Sequence, residues 1–245
     1  MIPESPRYSV PLLTGRDVVR VILAVLGLTI GLVVTAAFLY SVLLVFGVTE
    51  TTLTLSLPVL FLAEAIAIFG GIHAALVRPG LADWRDLGWE RVPPAWLVVA
   101  GVGSIAFFAG GLAVQMLARE VTQGAAIELP GASEFFPRDV FGFLSVLFLG
   151  AVVVPIAEEF LFRGVLFRWI RDRWSFWPAA LGSAAAFAML HPPTAGSTPM
   201  IFLIGLALAA LYEKSGSLWP SMILHGVNNA VGILFIYLTF GFSGA

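Results

Sequence analysis

Two adjacent glutamates and an arginine lie inside a strongly apolar stretch of the chain, at Glu158, Glu159 and Arg163. On insertion scales a charged side chain at the centre of a bilayer costs roughly 2.5–3.5 kcal/mol, so such residues persist where they pair or serve a function. Glu159 and Arg163 have the i, i+4 spacing of a helical ion pair, with the acid on the favoured N-terminal side. Glu158 is less well placed for that arginine. We therefore predict that Glu159 pairs with Arg163 and that Glu158 is the working base.

Histidine and asparagine supply the other candidate groups. His191 follows Phe187 by four residues, and Asn229 follows His225 by four, so His225 and Asn229 share one helical face. Each feature alone has a structural interpretation. The Glu–Arg pair could clamp two helices, His191 could cap a helix end near water, and His225 with Asn229 could hydrogen-bond between helices.

The composition identifies the elements that must position these groups. Hydrophobic residues make up 59% of the 245 residues, charged residues only 11%, and the mean hydropathy is +0.97, whereas a soluble domain has roughly 25% charged residues. The chain is therefore predicted to be an all-α polytopic membrane protein. It has no cysteine, which excludes disulfides and thiolate metal ligands, and it shows no nucleic-acid-binding pattern.

Apolar stretches of about 20 residues predict seven transmembrane helices, two of them short, around a polar catalytic cavity inside the bundle. We treat residues 1–245 as a single integral membrane domain. Glu64 and His73, in the second span, lie near opposite faces of the helix and are assigned to structural burial or cavity contact. Segment 83–89 is predicted to be an interfacial helix and turn. The seven spans are Val18–Val48, Leu53–Val77, Ala95–Ala118, Val140–Arg163 with a continuation, Phe176–His191, Met200–Tyr212 and Leu218–Phe240.

The lysines and arginines orient these spans, because cytoplasmic loops are enriched in positive charge. With the N-terminus inside, every lysine and arginine except Arg119 and Arg138 falls on or near the cytoplasmic side. This predicts a cytoplasmic N-terminal segment at 1–17 and, for an odd number of spans, a C-terminus outside. Short loops and helices rich in alanine and glycine favour a bacterial cytoplasmic membrane.

Helix geometry indicates which of the candidate groups can meet. At ~1.5 Å per residue, Glu158 and His191 both lie ~25 Å from a turn near Trp174, so an antiparallel hairpin places them at the same depth. The second hairpin fits less well. From a turn near Gly216, His225 is only ~14 Å along the helix, so the last span must begin deeper or tilt.

Three motifs in this order resemble the CPBP intramembrane protease family. The family is also called the CAAX protease and bacteriocin-processing, or ABI, family, and it includes the type II CAAX prenyl endopeptidases. The resemblance covers about Gly142 to Asn229, includes Gly164 and the Gly216-Ser217-Leu218 turn, and defines a catalytic core at 139–230. The motifs are Glu158-Glu159-x-x-x-Arg163, Phe187-x-x-x-His191 and His225-x-x-x-Asn229.

The resemblance implies hydrolysis of a peptide bond within the membrane. It assigns water activation to Glu158 and His191 and stabilisation of the oxyanion to His225 and Asn229, with Glu159, Arg163 and Phe187 in supporting positions. Amide hydrolysis needs a base for the water and donors for the oxyanion, which agrees with these residue types. The implied partner is a peptide or protein substrate reached from the membrane or the cytoplasmic side. The substrate's identity, its prenylation and the oligomeric state remain open.

A metal is the main open alternative for the chemistry. Glu158, His191 and His225 could hold zinc or another divalent ion in a three-ligand catalytic site, but the helical H-E-x-x-H signature is absent. Glu159 would then have to act as the base, so we favour a site without a metal or other cofactor. The alternatives for the function are a noncatalytic immunity or scaffold protein of the same fold and a proton-coupled transporter. The transporter is disfavoured because the sequence has no repeated halves.

Overall fold

The computed structural model describes residues 13–45, 57–121, 136–137, 139–191 and 197–240. Residues 1–12 of the predicted cytoplasmic segment 1–17 lie outside the described residues. The C-terminus at 241–245 also lies outside them. The helices of the described part are α1 (Gly15–Val45), α2 (Leu57–Ile72), α3 (Pro94–Val121), α4 (Val140–Phe148), α5 (Val154–Glu159), α6 (Arg168–Arg171), α7 (Phe176–Met189), α8 (Ser197–Ser215) and α9 (Trp219–Phe240).

Six helical segments of the described residues are long and apolar enough to cross a membrane, and α7 is a shorter apolar helix. One of the six segments, Val140–Arg171, contains α4, α5 and α6. The prediction of an all-α polytopic membrane protein is thus confirmed. One detail is wrong: the sixth span, predicted as the short segment Met200–Tyr212, is the full-length helix α8. Its last turn contains Glu213 and Lys214, which favour helix. These residues are charged, so a span predicted from consecutive apolar residues ends before them.

Small residues bring these helices close together. A Cβ at Gly71 on α2 would lie 2.8 Å from the backbone nitrogen of Val25 on α1, and one at Gly205 on α8 would lie 2.9 Å from the Cβ of Ala184 on α7. Because lipid gives no hydrophobic drive for helix association, such close packing is a principal source of stability. These contacts fix α1 on α2 and α7 on α8.

The fourth span is one helical rod, Val140–Arg171, interrupted by two π-helical stretches. Leu149–Val153 joins α4 to α5, and Phe160–Phe167 joins α5 to α6. In a π-helix the N–H bonds to the carbonyl five residues earlier, and such stretches often occur at functional sites. They flank the short helix α5, which carries both glutamates of the first motif.

Segment 83–89 was predicted to be an interfacial helix and turn; it forms turns and no helix, so the helical part of that prediction is wrong. Leu87 is buried, and the Trp89 ring stacks on Phe160 with centroids 5.7 Å apart. The close approach depends on Gly164, where an added Cβ would lie 2.7 Å from the Leu87 carbonyl oxygen. The tryptophans that suggested a membrane interface therefore pack against the rod.

The same segment determines where α9 begins. The Leu218 N–H donates to the Gly88 carbonyl at 2.9 Å, and the Ser217 hydroxyl donates to the Glu90 carbonyl at 2.6 Å. Ser217 and Leu218 are both buried. The turn before α9 therefore lies inside the protein, beside the segment that packs on the rod.

Candidate active site

Glu158, His191 and His225 come together from three separate helical elements. A Glu158 carboxylate oxygen, Oε1, lies 3.9 Å from His191 Nε2, and the other, Oε2, lies 3.4 Å from His225 Nε2. Glu158 itself is only 5% exposed. Glu158 and His191 thus lie at the same level of the helical hairpin, as their equal distances from the turn predicted, and His225 lies beside them.

Glu159 and Arg163 form the predicted helical ion pair. Arg163 donates to Glu159 Oε1 at 2.9 Å, and both side chains are fully buried. Arg163 also donates to the Gly205 carbonyl of α8 at 3.0 Å, and its guanidinium lies 4.8 Å from the centre of the Phe187 ring. The arginine thus ties the rod to α8 and to the Phe187 ring of α7, besides neutralising Glu159.

His225 lies between the two glutamates. Its Nδ1 is 3.1 Å from Glu159 Oε1, while its Nε2 faces Glu158. A neutral imidazole has a single N–H and can donate to one of these carboxylates, whereas an imidazolium can donate to both. The Nδ1 contact with Glu159 has hydrogen-bond geometry, and it orients the ring so that Nε2 faces Glu158.

His191 is oriented by its own helix. Its Nδ1 lies 2.8 Å from the Phe187 carbonyl oxygen, and because a carbonyl can only accept, Nδ1 carries the proton. In the neutral ring Nε2 is then an acceptor that faces Glu158. The Phe187 ring packs against His191 with centroids 4.6 Å apart, and the His191 side chain is 30% exposed. Phe187 thus supports both the histidine and Arg163.

Asn229 makes a contact that its motif did not indicate. Its side-chain amide donates to the Gly150 carbonyl at 2.9 Å. In the π-helical register Val154 donates to Leu149, so the next donor, to Gly150, would be residue 155. That residue is proline and has no N–H. Asn229 therefore satisfies a carbonyl that Pro155 leaves without its helical partner, and one of its two amide N–H bonds is used there.

Glu64, for which the sequence predicted structural burial or contact with a cavity, joins the site. Its carboxyl is within hydrogen-bonding distance of the Glu158 carboxyl. The available signal was its position: an acidic residue within a membrane span is by default a functional-site candidate. His73, the other polar residue of the second span, is exposed.

The alternative metal site can be tested on the geometry of Glu158, His191 and His225. Among the described residues, no group of three or more histidines, aspartates or glutamates is arranged to hold a metal ion. The described residues therefore give the metal alternative no geometric support.

Comparisons with known proteins match the part of the chain that holds these motifs. Residues 140–231 match the family described as "Type II CAAX prenyl endopeptidase Rce1-like". An "Uncharacterized 24.3 kDa protein" from Escherichia coli is 28% identical over 124 residues, which cover 46% of this chain and 55% of that protein. The match thus spans about half the length of this curated relative. No solved structure matches the chain.

Proposed function

We propose that the chain, whose residues 140–231 match the family described as type II CAAX prenyl endopeptidase Rce1-like, is a CAAX-type intramembrane endopeptidase. It hydrolyses a peptide bond in a membrane-associated protein or peptide. The observation that carries the proposal is the pairing of Glu158 with an oriented His191 inside a membrane helix bundle, 3.9 Å apart. That distance is too long for a direct hydrogen bond and suits one water that contacts both side chains.

The water is held by two acceptors. It donates one hydrogen to Glu158 and the other to His191 Nε2, whose lone pair faces the carboxylate because Nδ1 donates to the Phe187 carbonyl. As the water oxygen attacks the peptide carbonyl carbon, Glu158 takes a proton. Glu158 then gives that proton to the leaving nitrogen as the C–N bond breaks.

The developing oxyanion is stabilised by His225 and Asn229, one helical turn apart on α9. Asn229 has one amide N–H on the Gly150 carbonyl, and a primary amide has two, so the second is the one assigned to the oxyanion. The bond to Gly150 fixes the direction of the amide before the substrate arrives. A donor held in advance stabilises a transition state without reorganisation.

The substrate reaches the site from the membrane or from the cytoplasmic side. We assign the N-terminus to the cytoplasm of a bacterial cell and the C-terminus to the outside, because the arginines at the α6–α7 turn then follow the positive-inside rule. No residue of the site requires a prenyl group, so the substrate class is a peptide or protein tail without further definition.

The test is cleavage by the purified protein and by membranes that contain it. Membranes with the wild-type protein are compared by proteomics with membranes carrying Glu158→Gln, and a precursor that accumulates in the variant is the substrate. On a peptide from that precursor, Glu158→Gln should lower kcat by at least about 10²-fold, the lower end for general acid–base catalysis. The control is Glu213→Gln, which removes a carboxylate paired with Arg171 at 3.0 Å near the turn before α7.

Two results contradict the proposal. Turnover retained in Glu158→Gln removes that residue as the base. Identical membrane proteomes for the wild type and the variant, with no peptide cleaved by either, favour the noncatalytic immunity or scaffold function.

A further inference from the structure

Glu64 on α2 approaches the site from a helix outside the region that matches the family. Its carboxyl lies within hydrogen-bonding distance of Glu158. Phe61, on the same face one turn earlier, packs where a Cβ at Gly150 would lie 2.6 Å from its ring. The glycine thus lets α2 lie close enough to the rod for the two carboxyls to meet.

The chemistry of this contact requires a proton. An ionised carboxylate can only accept hydrogen bonds, so two carboxyls can bond to each other only when one of them is protonated. Two carboxylates in a shared, poorly solvated site also resist simultaneous ionisation. Glu159 differs because its charge is paired with Arg163 at 2.9 Å.

Resting on the proposed function, we propose that Glu64 is a positioning residue that shares one proton with Glu158. The pair then carries a single negative charge, and the shared proton holds one Glu158 oxygen against Glu64. The other oxygen remains free to accept a proton from the water. The remaining titratable and charged groups facing Glu158 are Glu159, Arg163, His191 and His225.

This pair takes up the proton that water releases and later supplies the proton that the leaving amine needs. When water attacks the peptide carbonyl, its proton passes to the free oxygen of Glu158 and the shared proton moves to Glu64, so the pair holds two protons and is neutral. Collapse of the tetrahedral intermediate breaks the C–N bond, and Glu158 donates one proton to the leaving amine. The pair returns to one proton, with a carboxylic acid and an amine as products.

Infrared spectroscopy tests the shared proton without any substrate. The wild type at neutral pH should show a protonated-carboxyl C=O band that shifts in D₂O, and Glu64→Gln should remove or shift that band. Glu213→Gln, which removes a carboxylate paired with Arg171, should leave it unchanged. A spectrum of Glu64→Gln identical to that of the wild type in this region overturns the proposal, even if the protein proves not to be a protease.

Kinetics test whether the proton acts in the reaction. Glu64→Gln should lower kcat by about 10²-fold with KM within about twofold, because the change affects the chemical step. The pair titrates in two macroscopic steps, so the pH profile of kcat should lose the limb that belongs to the second step. Glu64→Asp keeps a carboxyl and should restore both limbs in part. An unchanged profile in Glu64→Gln, with Glu158→Gln inactive, overturns this role and leaves the proposed protease intact.

Discussion

Replacing Arg163 with methionine should destabilise the protein by about 3–5 kcal/mol, the cost of removing one partner of a buried ion pair. The magnitude follows from its surroundings. Both Arg163 and Glu159 are fully buried, so the remaining Glu159 carboxylate cannot reach water. On the scale of about 2–4 °C per kcal/mol for chains of 150–250 residues, the midpoint of thermal unfolding in detergent should fall by about 6–20 °C.

The double variant Arg163→Met with Glu159→Gln distinguishes this reason from a simple loss of packing. It removes both charges, so the penalty for an unpaired buried carboxylate disappears. The double variant still loses the hydrogen bond that Arg163 donates to the Gly205 carbonyl at 3.0 Å. A buried acceptor without a partner costs about 1–3 kcal/mol. The double variant should therefore be more stable than Arg163→Met alone by about 2 kcal/mol.

Unfolding followed by far-ultraviolet circular dichroism, in mixed micelles with increasing SDS, measures all of these proteins. Arg171→Met is the matched control: its partner Glu213 lies at 3.0 Å, close to the 2.9 Å between Arg163 and Glu159, but both side chains are partly exposed at 13% and 12%. It should cost no more than about 1 kcal/mol. The reasoning fails if Arg163→Met is as mild as the control, or if adding Glu159→Gln does not restore stability.

Two further substitutions test local packing and charge by the same unfolding assay. A Cβ at Gly226 would collide with the Ala151 carbonyl oxygen, so Gly226→Ala should cost about 1–3 kcal/mol. Gly232→Ala, on the same helix with nothing within 4 Å, should be neutral or stabilising, and equal effects at both sites would contradict the packing. Burial raises the pKa of the Asp172 carboxyl against the opposing charges of neighbouring arginines. The unfolded chain therefore loses this proton first, and the folded state is penalised as pH rises. Asp172→Asn should be more stable than the wild type near neutral pH and equal to it below about pH 3.9; a less stable variant at neutral pH would refute this.

Contacts within one helix or one hairpin could be predicted from the sequence. The pairing of Glu159 with Arg163 needs only the i, i+4 spacing, and the meeting of Glu158 with His191 needs only two equal distances from a turn. Both depend on the regular rise of a helix. The position of His225 beside Glu158 could not be derived in this way, because the turn before α9 is bonded to segment 83–89, whose packing on the rod depends on a close approach at Gly164.

Asn229 shows a second limit of reasoning from helical spacing. Its partner is set by a change of hydrogen-bond register in the rod, where a π-helical stretch meets Pro155 and leaves the Gly150 carbonyl without a helical donor. A proline in a membrane helix indicates that some carbonyl lacks its partner. It does not indicate which one, because a four-residue register would free Ala151 and a five-residue register frees Gly150.

The position of Glu64 explains how three carboxyl groups can lie together at one site, where Glu158 and Glu159 are buried and Glu64 is half-buried. Arg163 compensates one negative charge and already pairs with Glu159. If Glu64 and Glu158 were both ionised, two uncompensated charges would meet in a poor solvent, and two histidines would both have to be cationic to balance them. His191 is then a poor acceptor for water, because Nε2 would carry a proton. One proton shared by Glu64 and Glu158 removes this conflict: His191 stays neutral, its Nε2 faces the water, and Glu158 keeps one oxygen free to act as the base.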